Sequence, residues 1–210
     1  MDLTHIASFA VVAALLVMSP GPNGVLIAKT VPISGRIAGF ASIAGFVSAF
    51  YLHGALSILG ISVILVQSAQ AFLVVKLLGA AYLCWLGLKA LRDAFRGISV
   101  TQRVQPAGRK RTLLVAFAEG FMTNALNPKV AMFYLAAFPQ FIPVHDGAAS
   151  SALLLVTVHS ALNIIWFSAM VLVVTRLRGV ASSGVVQRWL KGITGAVFLG
   201  FGARLAASQP

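Results

Sequence analysis

Several stretches of this chain run for the length of a bilayer crossing with almost no charge, among them Ile6 to Ala28 and Gln70 to Leu91. A crossing takes about 20 consecutive apolar residues. In lipid every backbone N–H and C=O must find its partner inside the protein, so only helices and closed barrels are available. The runs lack the alternation of a barrel strand and are too long for one, which leaves helices. Apolar windows fall near 6–28, 38–64, 70–91, 113–141, 150–175 and 190–207. The expected fold is an all-α membrane protein with six transmembrane helices. A water-soluble fold is excluded by composition: of 210 residues, 59% are hydrophobic and only 10% charged, too few to build a polar shell. The first run has no basic segment before it and further spans follow, so it is expected to be a retained span and not a signal peptide.

A formal net charge of +12 would suit a nucleic-acid partner, but the basic residues sit in short segments between apolar runs and form no face or tail. They act as topology signals. The first connection carries Lys29 and Arg36; the third Arg92, Arg96, Arg103, Arg109, Lys110 and Arg111; the fifth Arg176, Arg178, Arg188 and Lys191. These are 12 of the 16 Lys and Arg residues, which places the odd-numbered connections in the cytoplasm and both termini outside. The stretch 92–112, with Gly97, Pro106 and Gly108 among its charges, is a cytoplasmic linker between a first three-helix unit, 1–91, and a second, 113–210.

An odd number of spans per unit gives the two units opposite orientations. Internal matches fit two inverted repeats: Gly79–Trp85 aligns with Gly195–Phe201, and both Pro22 with Pro128 and His53 with His159 are offset by 106. The single cysteine, Cys84, allows no internal disulfide and reads as packing.

Two spans are interrupted: helix 1 by Ser19-Pro20-Gly21-Pro22-Asn23, and helix 4 by Thr123-Asn124-Ala125-Leu126-Asn127-Pro128-Lys129. Proline removes a donor and clashes with the preceding turn, so these helices should kink or break. Asn127-Pro128 reads as an N-cap followed by the first residue of a new helix, and Ser19-Pro20 as a similar pair. A plain kink is one outcome. Broken helices at matching places in two inverted units are the other, and such breaks mark a transporter's substrate site, because half-helix N-termini favour an anionic group. On that basis Pro20, Gly21, Pro22, Asn23, Thr123, Asn124, Asn127, Pro128 and Lys129 are the substrate-binding candidates. Lys129 either holds a carboxylate or bonds to carbonyls freed by the break. His53, Glu119, His159 and Asn163 are candidates for coupling to protons, with interhelical hydrogen bonding as the alternative for each histidine and for Asn163, and an ion pair with a nearby Arg or Lys for Glu119. No catalytic or metal-ligand pattern is present, so neither an enzyme nor a metal site is expected.

These motifs resemble the lysine exporter and homoserine/threonine exporter family, LysE/RhtB. The resemblance runs over nearly the whole chain and rests on Ser19-Pro20-Gly21-Pro22, on Lys76 to Leu83 with Trp85-Leu86-Gly87, on Thr123-Asn124 followed by Asn127-Pro128-Lys129, and on Phe138-Pro139-Gln140-Phe141. It implies a bacterial inner-membrane exporter of amino acids, driven by the proton motive force, with no cofactor, with membrane lipid and a small amino acid as partners, and working as a small homo-oligomer. The family's acidic positions in the second and fifth spans are Phe50 and Asn163 here, leaving Glu119, His53 and His159 to couple protons. A cavity poor in carboxylates suits a neutral amino acid of the threonine, homoserine or leucine kind. The mechanism implied is alternating access, with the α-carboxylate near Pro22 and Asn127. Export of a metal cation, known in more distant relatives, is the alternative.

Overall fold

A computed structural model describes residues 1–67, 69–96, 110–142 and 147–176, with isolated positions between 192 and 207. The described residues are helical and contain no strand. The α-helices are α1 (Leu3–Met18), α2 (Pro22–Gln67), α3 (Ala69–Phe95), α4 (Leu113–Ala125), α5 (Pro128–Met132) and α6 (Ala148–Arg176). A π-helical turn, Phe133–Ala137, and a 3-10 turn, Phe138–Phe141, carry α5 onward. The expected span at 190–207, and with it the match of Gly79–Trp85 to Gly195–Phe201, lies outside the described residues.

Two boundaries differ from the sequence expectation. No loop separates the first and second apolar windows, because α2 starts inside the first, at Pro22, and runs on through the second. At a rise of ~1.5 Å per residue its 46 residues would reach roughly 69 Å, against ~30 Å of hydrocarbon. Gly35 resolves this: at φ 81°, ψ 174° it is the one non-helical residue inside α2, so the chain changes direction between 22–34 and 36–67 without leaving helical hydrogen bonding for long. That backbone conformation is nearly closed to side-chain-bearing residues. At the other boundary, α3 runs to Phe95, beyond the expected linker start at 92.

Helix α2 packs chiefly on α4 and α6, α1 packs on α6, and α3 on the π-helical turn. The α2–α4 crossing is a backbone-to-backbone contact. A Cβ on Gly45 would strike the Phe117 carbonyl and the Phe121 amide, and one on Gly120 would strike the Ser42 carbonyl. Two apolar clusters fill the interior. One joins Phe9, Leu16, Phe50, Phe133, Tyr134 and Phe138, and the other joins Ile27, Phe46, Phe167 and Val171. The outer faces stay apolar: Ile37, Leu56, Leu59, Leu114 and Ile165 are each more than half exposed. An exposed apolar surface of that extent fits lipid and not water. Among the described residues two helical stretches, Pro22–Leu59 and Ala148–Arg176, are long and apolar enough to cross a membrane.

The two kinds of glycine should fail differently. Gly120→Ala has no room at the α2–α4 crossing and should cost about 3 kcal/mol or more. Gly35→Ala meets open space, and its cost is the backbone conformation alone, about 1–3 kcal/mol. Thermal unfolding of the purified variants in detergent checks this; equal losses would contradict the assignment.

Candidate functional site

Two places where helices stop and restart face one another. Helix α1 ends at Met18 with Ser19 as its C-cap; the Ser19 amide bonds the Leu15 carbonyl at 2.9 Å and the Ser19 hydroxyl donates to the Leu16 carbonyl at 2.9 Å. Helix α2 begins at Pro22, and the Val25 amide returns to the Gly21 carbonyl at 3.2 Å. Ser19 is therefore not the N-cap that Ser19-Pro20 suggested. Pro22 takes the first helical position, Gly21 falls before it, and the serine hydroxyl is drawn back to the helix it ends. The second restart follows the sequence expectation: Asn127 is the N-cap of α5, its Oδ1 accepts from the Lys129 amide at 3.1 Å, and Pro128 follows at the first position.

Lys129 joins the two places. Its Nζ donates to the Leu16 carbonyl at 2.9 Å, the Ser19 carbonyl at 3.1 Å and the Ser19 hydroxyl at 2.8 Å, which engages all three ammonium donors. A cation on the last carbonyls of α1 satisfies groups that a helix end leaves open and meets the negative end of its dipole. A Cβ on Gly21 would lie 3.1 Å from this Nζ, so the glycine keeps the space in which the ammonium sits.

A second set of bonds ties α2 to α4. Asn124, fully buried, donates from Nδ2 to the Phe46 carbonyl at 2.8 Å, and its Oδ1 accepts from Asn23 Nδ2 at 2.9 Å. His53 Nε2 lies 3.3 Å from the Asn124 carbonyl. On the far side, the Tyr134 hydroxyl lies 3.2 Å from His159 Nδ1, and the Tyr134 ring stands between the imidazoles, with centroids 5.5 Å from His53 and 5.7 Å from His159. Ser57 donates to the Tyr134 carbonyl at 2.8 Å.

Between these bonds lies a narrow cavity of about 20 Å³, room for roughly one water molecule. Of the residues singled out in the sequence, Gly21, Asn23, Asn127, Lys129, His159 and Asn163 line it. Asn124 stands one layer behind, bonded to Asn23 in the wall, and His53 lies behind Asn124 in turn. Pro20, Pro22 and Pro128 stand at the two turns and Thr123 in the last turn of α4, and none of them lines the cavity. Glu119 is elsewhere, in an ion pair with Arg111, whose amide donates to Ser34 beside the Gly35 bend. Phe50 and Phe167 complete an apolar wall. Sequence reasoning missed Tyr134, since nothing in its surroundings in the chain marks it apart from other membrane aromatics. Among the described residues no group of three or more His, Cys, Asp or Glu side chains is placed to hold a metal ion.

Comparison with known proteins agrees with this setting. The LysE type translocator family matches residues 14–209. The chain is 28% identical to the uncharacterized membrane protein YrhP of Bacillus subtilis over 94% of its own length and 96% of that protein. It is 25% identical to the threonine efflux protein of Escherichia coli K12 (95% and 96%) and 27% identical to the leucine efflux protein of Enterobacter sp. 638 (95% and 94%). No solved structure matches it. The chain belongs to the LysE type translocator family, a family of membrane transporters.

If Lys129 is the clasp between the two turns, Lys129→Met should orphan the Ser19 carbonyl, leave the Leu16 carbonyl with the Ser19 hydroxyl alone, and lower stability by on the order of 3 kcal/mol. Lys129→Arg should recover part of that loss. Melting temperatures of the detergent-purified variants decide the matter, and a Met variant as stable as the parent would show that the ammonium does not hold α1.

Proposed function

We propose that this LysE type translocator exports neutral amino acids across the bacterial inner membrane, driven by the proton motive force. The observation that carries the proposal is the cavity itself: it lies where both interrupted helices turn, and it is walled by Leu16, Val17, Phe50, Val130 and Phe167, by uncharged amides and by a single lysine, with no carboxylate. A cationic side chain entering such a space would be desolvated without an anion to meet it, whereas an aliphatic or hydroxylated one would not. The relatives named for threonine and leucine efflux support the same substrate class.

In the proposed arrangement, helices 1 and 4 are broken spans of two inverted three-helix units, 1–91 and 113–210, with both termini on the periplasmic side. The restarts at Pro22 and Pro128 support it, since each places proline at the first helical position and they are 106 residues apart. The substrate α-carboxylate sits at the N-terminus of α2, where the first amides after Pro22 have no partner within the helix. The first amide of α5 is already taken by Asn127. The units then rock about the site. His159 lines the cavity and is bonded to Tyr134, which supports it over the ion-paired Glu119 as the group through which protons couple.

Cells expressing the chain and preloaded with labelled threonine, leucine or lysine should lose a neutral amino acid several-fold faster than control cells, lysine no faster, and the gain should vanish with a protonophore. Asn127→Ala should reduce the gain and lower stability by about 1 kcal/mol, the cost of one lost cap. Normal retention of all three amino acids by cells with inserted protein would refute the proposal.

A further inference from the structure

Three residues that line the cavity each carry a buried polar atom with no hydrogen-bond partner: Oδ1 of Asn23, Oδ1 of Asn163 and Nε2 of His159. Their residues are 7%, 1% and 0% exposed. Each such atom costs about 1–3 kcal/mol when left unpaired, so three around one small space is a feature a purely structural core would avoid.

The orientation of Asn23 follows from its neighbours. The Phe46 carbonyl can only accept, so Asn124 must turn its Nδ2 toward it. Asn124 then presents Oδ1, which can only accept, so Asn23 must turn its own Nδ2 there. The relay leaves Asn23 with its carbonyl oxygen as the free group. Asn163, on α6, also lines the cavity and carries a second buried amide oxygen without a partner. A pair of neutral, buried acceptors is complementary to a group with several donors and no acceptor, which among the parts of an amino acid is the ammonium.

We infer that Asn23 Oδ1 and Asn163 Oδ1 form a subsite for the primary α-ammonium group of the transported solute. The inference rests on the reading of this cavity as the amino-acid site. It assigns the two ends of the zwitterion: carboxylate on the amides that open α2, ammonium between the two asparagine oxygens. Neutral acceptors suit this task, because the zwitterion carries its own counter-charge and a carboxylate in the wall would favour cationic solutes instead. The subsite selects for the nitrogen and is indifferent to the side chain, so one cavity can serve several neutral amino acids.

The test uses the full chain in proteoliposomes, with labelled leucine or threonine taken up in counterflow. Competitors keep the carboxylate and side chain and change only the nitrogen: the parent amino acid, its N,N-dimethyl derivative and the matching α-hydroxy acid. Wild type should bind the last two about ten- to a hundred-fold more weakly than the parent. In Asn163→Ala the KM for the parent should rise by a similar factor and the preference over the hydroxy acid should fall toward one, whereas Asn163→Asp, which keeps an acceptor oxygen, should retain the preference at whatever rate it transports. Should Asn163→Ala fail to insert, Asn163→Leu, which also lacks an acceptor and is closer in size, gives the same readout. A wild type that transports the amino acid without preferring it to the hydroxy acid, or an Asn163→Ala that loses rate but keeps the preference, overturns the subsite and leaves the proposed function standing. A wild type that moves neither amino acid overturns the proposed function, and the subsite with it.

Discussion

A helix that stops in a membrane leaves up to four carbonyls without partners and no bulk water to supply them. Here the last carbonyls of α1 are met by an ammonium from the other interrupted segment, Lys129, and the rest of the site is arranged around that contact. Asn127 fixes the first turn of α5 so that the lysine stem starts in the right direction. Gly21 keeps the space where the ammonium lies. Ser19 contributes both its carbonyl and its hydroxyl, completing three donors with three acceptors. The segment that begins at Pro128 thus caps the end of α1.

Much of this was written locally in the chain and so could be read from it. Proline and glycine fix backbone geometry wherever they stand, and Ser19-Pro20-Gly21-Pro22 and Asn127-Pro128 marked the turns without knowledge of any neighbour. The helical class followed from apolar run length for the same reason. What could not be read were contacts between residues about a hundred positions apart. Asn23 and Asn124 are each unremarkable membrane amides, and only the α2–α4 crossing shows that they form one relay. Lys129 left two uses open in the sequence, because the choice depends on where α1 ends in space. Glu119 illustrates the same limit: several basic residues stand near it in the chain, and only the structure shows that Arg111, just before α4, reaches forward to it. The Ser19 cap was misplaced because two prolines compete for one start, and only the three-dimensional path shows that Pro22 wins.

The size of the cavity constrains how such a site can work. About 20 Å³ holds a water molecule and not an amino acid, so transport on any scheme requires its walls to separate. The walls do not resist equally. Around Gly45 and Gly120 the backbones of α2 and α4 touch, and sliding them would forfeit close contact along the crossing. Around Lys129, three charge-assisted bonds tie α1 to α5, so those two helices separate only at the cost of bonds that lipid cannot replace. The segment 22–34 is different. It is bounded by Gly21 and by the bend at Gly35, and of the side-chain hydrogen bonds described above, Asn23 to Asn124 fixes its inner end while Arg111 to Ser34 fixes its outer one. Elsewhere it rests on apolar neighbours such as Phe167 and Met170, which can give way without leaving polar groups unmet. Physical cost therefore ranks this short rod as the wall most easily displaced, and it is the wall that carries both the opening amides of α2 and the free oxygen of Asn23.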